Sequence, residues 1–145
     1  MANGKIDKAL QQCLKDSMKI KRLWKNASPN SSFAPQGLTI DITGFDIIRI
    51  VHKTYANGTL WAEITDDTPV AALDGGYGIL IFGAFCQSGS STSTRGYSVS
   101  RRYAKENGQL VFRDAAVTKE LMTANDNKQC IPIEIYGIKI IGGGQ

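Results

Sequence analysis

The stretch that decides the fold is Tyr97-Ser-Val99-Ser-Arg101-Arg-Tyr103-Ala-Lys-Glu-Asn107-Gly108-Gln-Leu110-Val-Phe112-Arg113. Tyr97, Val99, Arg101 and Tyr103 alternate with Ser98, Ser100, Arg102 and Ala104. A period of two is the signature of a strand that shows different faces to different surroundings. Asn107-Gly108 follows, a pair that accepts the unusual backbone angles of a tight hairpin. Leu110–Arg113 is then the returning strand.

Working outward, the same logic repeats. Tyr77–Cys86 is a continuous apolar run, short and flanked by glycine, which predicts a buried strand. The segment Ser88–Gly96 is small, polar and of low complexity, so it reads as a loop; Asp66–Gly76 reads as irregular. Leu60, Ala62 and Ile64 alternate with Trp61, Glu63 and Thr65 behind the Asn57-Gly58 hairpin signal. Phe45–Lys53 is apolar on both faces, as a central strand would be, and Leu38, Ile40 and Ile42 alternate with Thr39, Asp41 and Thr43. The proline- and serine-rich segment Asn26–Gln36 is a loop, preceded by a first strand over Met18–Trp24. Toward the C-terminus, Ala115–Ala124 suggests one or two helical turns, and Cys130–Ile141 is the last strand. It sets Ile131, Ile133 and Ile135 on one face, while Pro132 marks an edge or a bulge. Seven or eight short strands with turn chemistry between them predict an all-β fold, an antiparallel sandwich of jelly-roll type.

A helix precedes the strands. Ile6, Ala9, Leu10, Cys13 and Leu14 form a single apolar stripe at helical spacing, ending near Ser17. The expected organisation is therefore a docking or oligomerising helix over residues 1–17 and a β-sandwich over residues 18–145. So short a helix is marginal alone in water and needs something to pack on. Residues 1–25 carry a net +5 and the remainder −1. Aromatic residues do not alternate with the basic ones, Trp24 being the single one among them, so a solvated helix face is expected and nucleic acid is not. No apolar run is long enough to cross a bilayer, and the polar start lacks a signal segment, so folding in a cytoplasm is expected. Cys13, Cys86 and Cys130 are odd in number and widely spaced, which fits free, mostly buried thiols better than a disulfide framework or a zinc site.

Catalytic chemistry finds little purchase. His52 is the lone histidine and lies in the most apolar strand, with no nucleophile elbow elsewhere. Asp66, Asp67 and Asp74 lack the carboxylate and glycine spacing of a calcium loop. Gly75-Gly76-Tyr77-Gly78 precedes a strand, whereas a phosphate-binding loop follows one and opens a helix. No catalytic residue, metal or cofactor is expected, although a glycosidase-type carboxylate pair forms only in space and stays open. Surface recognition remains. Trp61, Tyr97, Arg101 and Tyr103 are candidates through exposed rings and a guanidinium, and Ser91 and Thr92 through an adaptable loop. The alternative is that this face belongs to the sandwich core or an oligomer seam.

Two stretches carry a resemblance. Trp24-Lys-Asn26-Ala-Ser-Pro29-Asn-Ser31-Ser-Phe33-Ala34-Pro-Gln36, with Gly44-Phe45-Asp46 beyond it, resembles the opening of small β modules in bacteriophage tail and baseplate fibre proteins. Cys130-Ile-Pro132-Ile-Glu-Ile-Tyr136-Gly137-Ile-Lys139 resembles their closing strand, and the Arg101-Arg102-Tyr103 strand with its Asn-Gly hairpin fits as well. The resemblance implies a non-enzymatic virion component, assembled in the bacterial cytoplasm as a homotrimer. It would attach to other virion proteins through its N-terminal segment, with Ile6, Leu10, Cys13 and Leu14 as the interface, and meet a host surface glycan or protein. A basic helix in place of a long shaft departs from that pattern and makes a capsid decoration or head-fibre role the rival.

Overall fold

The computed structural model describes residues 8–13, 17–56, 59–88, 94–119 and 122–141, apart from the side chains of residues 56, 59, 61, 86–88, 94 and 95. The chain forms an all-β sandwich of two antiparallel sheets. The strands are β1 (Met18–Lys25), β2 (Gln36–Leu38), β3 (Ile47–Ala56), β4 (Thr59–Pro69), β5 (Ile79–Ser88), β6 (Thr94–Glu106), β7 (Gln109–Lys119), β8 (Met122–Asn125) and β9 (Ile131–Ile140). The first sheet has the order β1-β9-β3-β4 and the second β2-β7-β6-β5, with β8 added to β7. A single helical turn, α1 (Val70–Asp74), connects β4 to β5 across the sheets.

The β6–β7 hairpin turns where its sequence requires. Asn107 and Gly108 have φ of 50° and 77°, both in the left-handed region that this tight turn needs. Central placement of β3 follows from its two apolar faces; it pairs with β4 on one side and β9 on the other. The register of β3 against β9 shifts between Val51 and His52, opposite Pro132, so the proline lies beside a bulge where a missing N–H costs little. Ile131 and Ile135 are buried and Ile133 half-buried. On the inner faces Ile48, Ile50, Ile81, Val99, Leu110, Phe112 and Ile135 meet in one core. Phe33, from the loop after β1, closes one end of it with its ring edge-on to Phe112 at 5.7 Å and to Trp24 at 6.1 Å.

Several segments differ from expectation. Of the helix expected over Ala115–Ala124, the described residues are strand: β7 runs on through Lys119 and β8, from Met122, pairs with it, because hydrogen bonding to β6 and β8 outweighs the helix propensity of the alanines. Asp66–Pro69 belongs to β4, and α1 follows at once, so the irregular segment is shorter than its acidic sequence suggests. β2 stops at Leu38, although Ile40 and Ile42 beyond it still point into the core. The apolar run after Tyr77 forms an edge strand, with Ile81 and Phe85 buried and Leu80 and Phe82 exposed. The Asn57-Gly58 turn lies outside the described residues, while the strands it joins pair from Ala56 and Thr59 onward.

Candidate functional site

Arg101 and Tyr103, candidates for surface recognition, are instead completely buried, so for these two the core reading of that face holds. The alternation in β6 is as the sequence shows it, but the face carrying Tyr97, Val99, Arg101 and Tyr103 turns inward and the serine face outward. What makes a buried guanidinium tolerable is a ring of carbonyl oxygens. Arg101 donates from Nη1 to Arg113 O at 2.7 Å, from Nε to Cys130 O at 3.0 Å, and from Nη2 to Gln129 O at 3.2 Å and Asn127 O at 3.4 Å. Its cation also stands 5.2 Å from the centre of the Phe33 ring. Burial pulls its pKa down to about 10, so it stays charged at neutral pH. No carboxylate pairs with it among the described residues. The fork therefore ties β6, β7 and the loop before β9 together through the backbone alone.

That loop is a hub. Asn127 O accepts from Phe33 N, and Asn127 Oδ1 accepts from Ala115 N at 2.9 Å. Gln129 Oε1 accepts from Thr54 Oγ1 at 2.6 Å and Tyr55 N at 3.0 Å, which reaches the other sheet. Cys130, next in the chain, adopts a positive φ of 43° without being glycine, a conformation that costs energy and is held here by its neighbours. Its buried thiol is pushed up to about 12 by desolvation, so at neutral pH it is not a thiolate nucleophile.

A second polar group spans the opposite edge. His52 is fully buried on β3, and its Nε2 lies 2.8 Å from Asp66 Oδ2 on β4. The same oxygen accepts from the Phe82 backbone N–H on β5 at 3.1 Å. Tyr103 OH donates to Thr68 Oγ1 at 2.8 Å, another bond from sheet to sheet. His52 Nδ1 has no partner, and it is the one buried side-chain polar atom in that position among the described residues. Desolvation lowers the pKa of His52, while Asp66 works against that shift. The folded chain thus binds fewer protons here than the unfolded chain, whose histidine titrates near 6.5. Stability from this group is present at higher pH and is lost as pH falls below about 6.5. Urea midpoints should fall between pH 7.5 and 5.5 for the native chain, and His52→Gln should flatten that interval. The depressed carboxylates of Asp41, Asp46, Asp67 and Glu134 titrate lower and leave a separate acid limb in both proteins. An unchanged slope in the variant would remove His52 from the account.

The remaining candidates divide. Tyr97 is half-buried, stacked on Phe85 at 5.0 Å with Lys119 Nζ 5.6 Å from its ring centre, so its ring is spent on packing. Leu10 is 58% exposed and Cys13 is exposed, the latter against the expectation of a buried thiol. Ile6, Leu14, Ser91, Thr92 and the side chains of Trp61 and Cys86 lie outside the described residues. The three aspartates do not converge: Asp66 holds His52, Asp67 pairs with Arg49 at 2.7 Å, and Asp74 pairs with Lys105. Among the described residues no group of three His, Cys, Asp or Glu is placed to hold a metal ion, and no helix is long and apolar enough to cross a membrane.

Sequence reasoning missed what the outer face of the second sheet displays. Tyr77, Leu80 and Phe82 are 68%, 56% and 48% exposed, and Arg102 stands opposite Leu80. An unbroken apolar run gives no alternation from which that face could be read. No protein-family model matches the chain, and none of the curated proteins matches it in sequence.

Proposed function

We propose that the chain is a non-enzymatic structural module of a bacteriophage particle, at a tail or baseplate fibre tip. Its N-terminal helix attaches or trimerises it, and its sandwich faces the host surface. One observation carries the reading. Helical residues 8–13 are exposed throughout, so Leu10 and Cys13 present an apolar stripe to solvent. A helix too short to hold itself gains stability from covering that stripe. The interior supports the same reading, because Arg101, Tyr103, Thr54 and Gln129 are committed to bonds within the fold.

Light scattering on the full chain and on a chain starting at Met18 tests it. The full chain is expected at three times the monomer mass and the shortened chain at one. An unchanged trimer would take assembly away from the helix. A monomer in both would favour the rival, a capsid decoration or head-fibre protein whose helix docks on a different virion protein; the exposed stripe suits that reading too. Release of sugars from host wall polysaccharide by the purified protein would overturn the non-enzymatic reading altogether.

A further inference from the structure

The Gly75-Gly76-Tyr77-Gly78 turn is not spent on the fold alone. Gly76 has φ of 77° and makes the turn out of α1. Gly78 has no such angle, so its backbone does not demand glycine. Its role is space: a Cβ there would lie 2.6 Å from Arg102 Nη2 and 2.7 Å from Arg102 Cζ. Gly75 acts the same way for Tyr77, whose ring carbons would be 3.1 and 3.2 Å from a Cβ. One turn therefore seats a guanidinium on one glycine and an aromatic ring on another.

Both seated groups face solvent. Arg22, Arg49 and Arg113 pair with Glu134, Asp67 and Glu106, whereas Arg102 has no hydrogen-bond or ion-pair partner among the described residues. Asp74, the acid at the start of the turn, is held by Lys105. On the β5 side and along β6 the outward residues near Arg102 are Leu80, Phe82, Ala84, Ser98 and Ser100, none of them acidic. On the β7 side a bulge sets Arg113 and Asp114 opposite it, Arg113 paired with Glu106 and Asp114 accepting from Asn127 Nδ2. A guanidinium with no carboxylate partner of its own complements an anion, and the planar fork suits an oxyanion taken at two oxygens. An exposed ring carried by the same turn suits the C–H face of a sugar.

We propose that Arg102 and Tyr77, seated on Gly78 and Gly75, bind an acidic residue of a polysaccharide chain. Arg102 grips the oxyanion and Tyr77 packs against the sugar. The sugar half rests on the host-surface role proposed above; the oxyanion half rests on the geometry of the turn. A uronate carboxylate and a sugar-chain phosphate share this chemistry.

Calorimetric titration of the purified full chain at low salt, with polygalacturonate, poly(glycerol phosphate) and neutral dextran, separates the sources. At least one acidic polymer should bind, with dextran at least about tenfold weaker. Arg102→Gln should weaken acidic binding by about tenfold or more, and Gly78→Ala similarly, since the added methyl displaces only the far end of a flexible side chain. Tyr77→Ala should cost roughly threefold to tenfold. Circular dichroism melts keep the test open, since all three variants alter surface groups and should unfold close to the native chain. Silence toward both acidic polymers, equal binding of dextran, or acidic binding that survives Arg102→Gln would overturn the proposal. So would self-association abolished by Phe82→Asp with no polymer bound, which would give the face to a second copy. The three polymer failures leave the helix-dependent mass untouched, and that mass judges the attachment role; the fourth changes the mass through Phe82 and not through removal of residues 1–17.

Discussion

Arg101→Met is expected to lower stability by about 4 kcal/mol and Tm by roughly 10 °C, read by urea and thermal unfolding. Two effects oppose each other. Methionine relieves the cost of burying a charge, worth several kcal/mol. It also leaves the carbonyls of Arg113, Asn127, Gln129 and Cys130 with no donor from this side chain. At about 1–3 kcal/mol for each orphaned buried group, the carbonyls of Gln129 and Cys130 and the half-buried one of Arg113 outweigh the relief, while Asn127 O keeps the Phe33 N–H. Arg101→Lys should recover less than half of the loss, because one ammonium cannot reach acceptors on β7 and on the loop before β9 together. A loss below about 1 kcal/mol for Arg101→Met would mean that the carbonyls find water, and that the fork is not what holds the loop.

Phe112→Ala should be of similar size, about 4 kcal/mol, since it opens a cavity at the centre of the core. Phe112 stacks on Tyr103 at 5.3 Å and supports Phe33 edge-on. Phe33 in turn lies beneath the Arg101 cation. The two substitutions therefore share a neighbour, and their double variant should depart from additivity by at least about 0.5 kcal/mol. Additive losses would show that Phe33 keeps its place without Phe112.

The sandwich itself was legible because alternation and Asn-Gly turns are local signals. The hairpin at Asn107-Gly108, the central position of β3 and the irregularity near Pro132 all follow from residues adjacent in the chain. Which face of β6 turns inward was not legible, since its inward row contains an arginine. The groups that make Arg101 a core residue are backbone carbonyls 12 to 29 positions away, and backbone carbonyls carry no sequence signature. The helix expected over Ala115–Ala124 fails for a related reason. Its alanines gain more from strand neighbours on both sides than from their own preference. The Arg102 seat could have been suspected only from a glycine whose backbone did not need it.

The Asp66 carboxylate has one more effect, on neighbours outside the molecule. β5 is the outer strand of its sheet, and a row of open N–H groups there is a template on which a foreign strand can zip. By occupying the Phe82 N–H, Asp66 interrupts that row and ties it inward to β4. One of the two outer strands of the other sheet, β1, carries Lys19, Lys21, Arg22 and Lys25, so like strands repel there. At these two rims, one stoppered and one charged, a foreign strand finds no ready template.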